Sequence, residues 1–335
     1  MNMKKTALLI LAGGMALALA ACSSGGSQKN TKQVTNENSD VNYPDGDLRI
    51  QVPFKTGGAL DVQVRTTVQY LSKELGVNVI VENTAGAGGQ LGTTEYLKEP
   101  ANTSTILLTD GWLMTVTPMI SSVQYSIDEY MPIIDHNIID FCLFACPSKS
   151  GINNIDDLKT YGADNRVLFG SGGAGTSLYV VQKSLLDAMG VQSDTISQNS
   201  TSEGMGNLMA GTVDVTLSSF TDAADYVANG DIVPILWFGK ETYKDDDVYA
   251  QGVPCAKEQG IEIDYQGFTY YSIRKGTDEK VIEKLQNAFT AVYENPEFKE
   301  ECKKIGFAPT GMKTEEINSY LKAYTEMADK NFTLE

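Results

Sequence analysis

Short apolar runs alternate along this chain with segments whose apolar residues recur every three or four positions. The first such unit, residues 48–65, reads LRIQVPFKTGGALDVQVR. Residues 50–54 have the length and composition of a buried parallel strand. Leu60, Val64, Val68 and Leu71 then share one helical face. Between them Gly57 and Gly58 supply a turn where a Cβ would clash. The same patterning predicts strands at 77–81, 105–108, 138–146, 166–169, 213–217, 232–238 and 268–273. Helices are expected at 93–98, 155–161, 178–189, 203–210, 223–229, 279–293 and 315–327. Such alternation indicates an α/β chain with a parallel sheet. A strand, glycine turn and helix point free N–H groups above the strand's C-terminal end, where open α/β sheets bind small molecules. A helix N-terminus there favours an anion. The first turn therefore reads as half of an anion pocket, with an unliganded βα turn as the plain alternative.

Residues 1–21 read as an address. Lys4 and Lys5 precede an apolar core at 7–20, too short for a comfortable membrane span. Leu19, Ala20, Ala21 and Cys22 resemble the lipobox of bacterial lipoproteins, whose cysteine becomes the lipidated N-terminus. Diacylglyceryl plus N-acyl chains exceed the two signals that stable anchoring needs. The mature protein is then expected outside the cytoplasmic membrane and tethered to it. Residues 22–43 comprise the lipidated cysteine and a polar Gly/Ser-containing tether, too poor in apolar residues to fold.

The formal charge is −17, and loss of Lys4 and Lys5 makes it more negative. Nucleic acid and anionic headgroups are poor partners for such a chain. Cys142, Cys146, Cys255 and Cys302 lack CxxC spacing, and His136 is the single histidine. No metal or cofactor is expected. Cys142 and Cys146 read as core residues, while a Cys255–Cys302 bridge stays open in an exported chain.

The part after the tether exceeds one comfortable core. The strand before Pro147 and the segment near Pro254 mark two crossings. They divide the chain into one lobe of residues 44–146 plus 252–335 and an inserted lobe of 147–251. A ligand site belongs in the cleft between such lobes. The strand–glycine–helix geometry recurs at 166–189. Gly170, Gly172 and Gly175 also fit G-x-G-x-x-G, with Asp187 or Asp194 in range of a ribose. An exported chain has little access to NAD, so a dinucleotide site is the weaker reading.

These segments resemble the extracytoplasmic solute receptors of tripartite tricarboxylate transporters, the Bug family. The first loop, Pro53-Phe54-x-x-Gly57-Gly58-x-x-Asp61, carries the resemblance together with the second, Val79-Ile80-Val81-Glu82-Asn83 and Gly86-Ala87-Gly88-Gly89. The third is the loop at 170–177, and Leu208-Met209-Ala210-Gly211-Thr212-Val213-Asp214-Val215 precedes the fourth. The likeness covers nearly the whole mature chain. It implies a periplasmic-binding-protein type II fold of two α/β lobes and a small organic acid as ligand. It also implies no catalysis and delivery to integral permease subunits. A monomer is expected.

The residues expected to line the ligand are Phe54, Lys55, Thr56, Gly57, Gly58 and Asp61 in the first loop, with Ala87 and Gly88 in the second. Ser171, Gly172, Gly173, Gly175, Thr176 and Ser177 come from the third, joined by Asn199, Ser218 and Thr221. Asp61 also suits a structural place in the first helical turn, and Thr176 or Ser177 can cap a helix. Trp112, Phe220 and Trp237 read as core or rim aromatics.

The chain departs from the family pattern at several points. Gln198, Asn199 and Ser200 replace a tyrosine-lysine-glycine, Tyr179 a histidine, Ser218 an acidic residue, and Thr84-Ala85 an arginine-proline. The scaffold is kept while side chains facing the ligand differ. An exported hydrolase is the competing class. It would have to use His136, which sits in a strand-like stretch, and no Gly-x-Ser-x-Gly elbow is present.

Overall fold

The computed structural model describes residues 41–331 apart from 199, 245–247 and 264. Cys22 and Asn199 lie outside the described residues. In chain order the elements begin with β1 (Leu48–Val52), α1 (Ala59–Leu75), β2 (Val79–Asn83), α2 (Gln90–Tyr96) and β3 (Thr105–Asp110). The short α3 (Gly111–Thr115) and α4 (Thr117–Ile120) lead to the long β4 (Tyr130–Ala145). Next come α5 (Pro147–Ser150), α6 (Ile155–Asp164), β5 (Val167–Ser171), α7 (Ser177–Ala188), β6 (Ser193–Ser197) and α8 (Thr201–Ala210). β7 (Val215–Ser219), α9 (Phe220–Ala228) and β8 (Val233–Trp237) follow, then β9 (Gln266–Arg274). Three helices close the chain: α10 (Glu279–Glu294), α11 (Pro296–Lys304) and α12 (Thr314–Asn331).

The sheet is mixed, not wholly parallel as the alternation predicts. β1 pairs in parallel with β2 and β3, and β5 in parallel with β6 and β7. Antiparallel pairs come from β4 and β9, because the chain runs out of one half of the sheet along β4 and returns along β9. From Tyr130 to Asp140, β4 pairs with β9; from Phe141 to Ala145 it pairs with β7 on one side and β8 on the other. At the return, Tyr265 N–H still donates to Phe238 O at 3.3 Å, whereas Gln266 already pairs with Asp140.

β4 also starts at Tyr130, well before the expected 138. Its first half holds Asp135, His136 and Asn137, all buried. Each meets a distant partner, although His136 Nδ1 stays unpaired. Asp135 accepts the N–H groups of Thr310 and Gly311, both at 2.7 Å, and Asn137 Oδ1 that of Ala308 at 3.2 Å. His136 Nε2 lies 3.1 Å from Gln63 Oε1.

Three buried clusters hold the fold. Ile50, Val52, Val64 and Leu71 pack with Leu285, Phe289 and Phe298, so α1, α10 and α11 cover one face of the first half. Another cluster is continuous from Trp112 and Leu113 through Tyr265 and Phe141 to Leu185 and Leu217 in the second half. Cys142, Phe144 and Cys146 belong to a third, with Met205, Leu208 and Phe220. Cys142 and Cys146 are thus core residues, and Cys255 and Cys302 are buried free thiols. Among the described residues no helix is long and apolar enough to cross a membrane.

Candidate functional site

The loops after β1, β2, β3 and β5 converge where the two halves of the sheet meet. The first loop is shaped by its own helix. Asp61, 2% exposed, accepts the Gly57 N–H at 2.8 Å, Arg65 Nε at 2.9 Å and Asn83 Nδ2 at 3.0 Å. Burial pushes its pKa up, but the bonds from Arg65, Gly57 and Asn83 outweigh this and leave it below the usual value. Asn83 Nδ2 also donates to Phe54 O at 3.1 Å, tying the first loop to the end of β2. Gly58 N–H donates to Lys55 O at 3.3 Å. Gly58 caps α1 without a side-chain hydrogen bond. The N–H groups of Ala59, Leu60 and Asp61 therefore face outward with no acceptor among the described residues. Lys55 and Thr56 are exposed beside them.

The second loop lies against the first and the third. A Cβ on Gly89 would press on Leu113 at 2.9 Å and on the Phe54 ring at 3.3 Å. One on Gly88 would lie 3.2 Å from Thr176 Cγ2, across the gap between the halves. Ala87 and Gly88 have positive φ values of 47° and 64° and are exposed. The third loop is bound to β3's side as well, since Trp112 Nε1 donates to Gly175 O at 3.3 Å. Within it, Ser171 Oγ accepts the Gly173 N–H at 3.2 Å, and Thr176 Oγ1 donates to Gly173 O at 2.8 Å. Thr176 caps α7 by accepting from Tyr179 N–H, which leaves the N–H groups of Ser177 and Leu178 without an acceptor among the described residues.

Ser218 and Thr221 come at the end of β7 and the start of α9, β7 pairing in parallel with β5. Ser218 sits inside β7, not in a loop, and is buried with its hydroxyl unpaired. Thr221, at the start of α9, meets Gly306 from the other half, where a Cβ would collide with it. The neighbouring Asp222 is exposed yet walled by protein, and that burial raises its pKa despite bonds from Ser219 and Thr201.

Other residues at the junction escape the sequence reading. Asp110 ends β3 and accepts the Leu113 N–H at 2.9 Å. It keeps some exposed surface although protein surrounds its carboxyl, as at the floor of a crevice, and this burial lifts it to about 6. Tyr265 is buried beside Ser177, Tyr324 and Asp110 and packs edge-on to Trp112 at 5.9 Å. Gln198 is buried over Gly170 with both amide atoms unpaired. The rule that singles out the first loop, ligands above strand C-termini, also applies to Asp110. Two surface cavities, of about 610 Å³ beside α7 and β6 and about 440 Å³ beside α12, are lined by residues outside these loops. His136 is a core residue: burial alone holds it down to about 3, so it offers no base at neutral pH.

The family model for the tripartite tricarboxylate transporter family receptor, TctC, matches residues 63–330. The chain belongs to that family. It is therefore a receptor and not an enzyme. The "UPF0065 protein in gbd 5′ region" of Cupriavidus necator is 28% identical over 83% of this chain and 84% of its own length. Among solved structures, the periplasmic binding protein BugD superposes with a TM-score of 0.75 at 23% identity, covering 86% of the receptor and 98% of BugD. MatC from Rhodopseudomonas palustris with bound malate gives 0.77 at 19% identity, covering 88% of the receptor and all of MatC. These likenesses establish a two-lobed periplasmic-binding-protein fold for the receptor.

Proposed function

We propose that the receptor captures a small organic acid between its lobes and hands it to the integral permease subunits of a tripartite transporter. The observation that carries this is that two helix starts, α1 and α7, follow loops that both approach the second loop, and their first N–H groups have no acceptor among the described residues. Backbone donors of this kind hold a carboxylate inside a protein that is acidic as a whole. In this reading Gly57 and Gly58 shape the first loop, Ala59–Asp61 and Ser177 donate, and Lys55 adds a peripheral charge. Thr56, Ala87, Gly172, Gly173 and Gly175 line the passage between them. The malate in MatC, a protein of the same fold, supports the ligand class.

The lobes hinge where β4 and β9 pass between the two halves of the sheet, at residues 140–141 and 265–266. These points lie inside the outer segments 44–146 and 252–335. Cys22 carries the lipid that tethers the mature monomer to the outer face of the cell membrane. Cys22→Ala is expected to leave the membrane fraction or to stall as precursor; normal processing with full membrane retention would contradict the anchor.

A thermal-shift screen of residues 41–335 against mono-, di- and tricarboxylates tests the function. A ligand at 100 times its Kd stabilises by about 2.7 kcal/mol. At least one acid is expected to reach that, and no stabilisation by any acid would overturn the reading.

A further inference from the structure

Asp110 is a carboxyl in a cleft that is otherwise built to hold an anion. It ends β3, two residues before Trp112, whose indole donates to Gly175 O of the third loop, and three before Leu113, which packs on Gly89 of the second. It retains some exposed surface while protein encloses it, and through Trp112 and Leu113 it stands next to the third and second loops. The ionisable groups facing it are tyrosines: Tyr125 before β4, Tyr265 ahead of β9, Tyr270 on β9 and Tyr324 on α12. All four hydroxyls are pushed up by burial, so they stay neutral. No lysine or arginine pairs with Asp110 among the described residues, and the first loop's Arg65 is already held by Asp61.

We propose that Asp110 is a specificity-determining residue that selects acids bearing a hydrogen-bond donor, an ammonium or hydroxyl group, beside the carboxylate. The inference rests on the carboxylate reading above. A carboxylate left without a cation in a crevice costs free energy unless a donor meets it. A ligand that brings an ammonium or hydroxyl supplies that donor. A ligand that brings only a second carboxylate meets repulsion there until Asp110 takes a proton, which its elevated pKa near 6 allows in mild acid. Asp110 already accepts backbone N–H groups of α3, Leu113's among them, so only its remaining lone pairs await the ligand's donor; leaving those unmet discriminates more strongly than a missing apolar contact.

The test uses matched acids of three, four, five and six carbons, each unsubstituted, 2-hydroxy and 2-amino, together with benzoate and its hydroxy and amino derivatives. Binding is measured by calorimetry at pH 5.5 and pH 8. Asp110→Asn keeps an acceptor for the Leu113 N–H, because asparagine caps as well as aspartate, and its melting temperature serves as the fold control. For the wild type at pH 8, donor-bearing members are expected to bind at least tenfold tighter than their unsubstituted partners. The gap should narrow at pH 5.5. Asp110→Asn should compress it to within about threefold at both pH values. Equal weakening of every acid by Asp110→Asn would show a merely structural cap and overturn the proposal. So would an unchanged order of preference in the variant. Failure of every acid to bind wild type would overturn the carboxylate reading itself, and this proposal with it.

Discussion

The carboxylate of Asp61 accepts the N–H of Gly57 at 2.8 Å, so the first turn of α1 fixes the loop that precedes it. The same side chain holds Arg65 and Asn83, which places three donors on one buried group. Asp61 thereby aims the helix start without donating to anything itself.

Asp61→Ala is expected to loosen the first loop. It removes charge-assisted bonds, each worth about 1.5–3 kcal/mol, and leaves Arg65 with its bond to Asn83 Oδ1 alone. Urea denaturation should show a loss in that range, and ligand affinity should fall by more than the remaining folded fraction explains. The carboxyl has a depressed pKa, so its stabilising effect is present above the ordinary carboxylate range. That effect is lost as pH falls through the folded-state pKa. A pH titration of Asp61→Ala should lack this acid limb.

His136 gives a second pH signature. It is buried between Tyr271, edge-on at 5.2 Å, and Phe307 at 4.6 Å, and burial lowers it from 6.5 to about 3. The unfolded chain takes up a proton near 6.5 that the folded chain refuses, so stability falls as pH drops below 6.5. At pH 4.5, about two pH units below the unfolded value, the loss is about 3 kcal/mol. His136→Phe keeps a ring in the site, and its stability curve should be flatter than that of the wild type over this interval. Parallel curves for the two proteins would contradict a neutral, buried histidine.

The contact across the cleft separates closure from folding. Gly88 has φ of 64°, and a Cβ there would lie 3.2 Å from Thr176 Cγ2. Gly260 has φ of 74° with open space around it. Alanine at either position takes on left-handed strain of about 1–2 kcal/mol. Both variants should melt lower by similar amounts. Only Gly88→Ala should weaken ligand binding, by about tenfold, because only there does the methyl obstruct the opposing lobe.

The glycine-turn units were legible because each is local. In α1 the apolar spacing, Gly57 and Gly58 all lie within one stretch, and its core positions Val64 and Leu71 are fully buried. The first half of β4 was not legible. Asp135, His136 and Asn137 break the apolar run that marks the expected strand from 138, and the groups that meet Asp135 and Asn137 are at Thr310, Gly311 and Ala308. No local pattern announces a partner so far along the chain. Ser218 lies just past the strand expected at 213–217, and its place in β7 is set by pairing with Cys142. Nothing local in the sequence singles out Asp110. Its place in the crevice depends on Tyr265 and the third loop, which only the folded chain brings to it.

Amide chemical shifts report the central claim directly, since the proposed ligand contacts are backbone N–H groups at the starts of α1 and α7. Residues 41–335, labelled with nitrogen-15, are titrated with the best acid from the thermal-shift screen, alongside Lys55→Ala. The amides of Ala59, Leu60, Asp61, Ser177 and Leu178 are expected to show the largest downfield shifts, with Lys55→Ala binding about tenfold more weakly and shifting the same amides. Shifts confined to the cavity beside α7 and β6, or loss of all binding in a folded Lys55→Ala protein, would contradict the account and place the carboxylate elsewhere or on a side-chain ion pair.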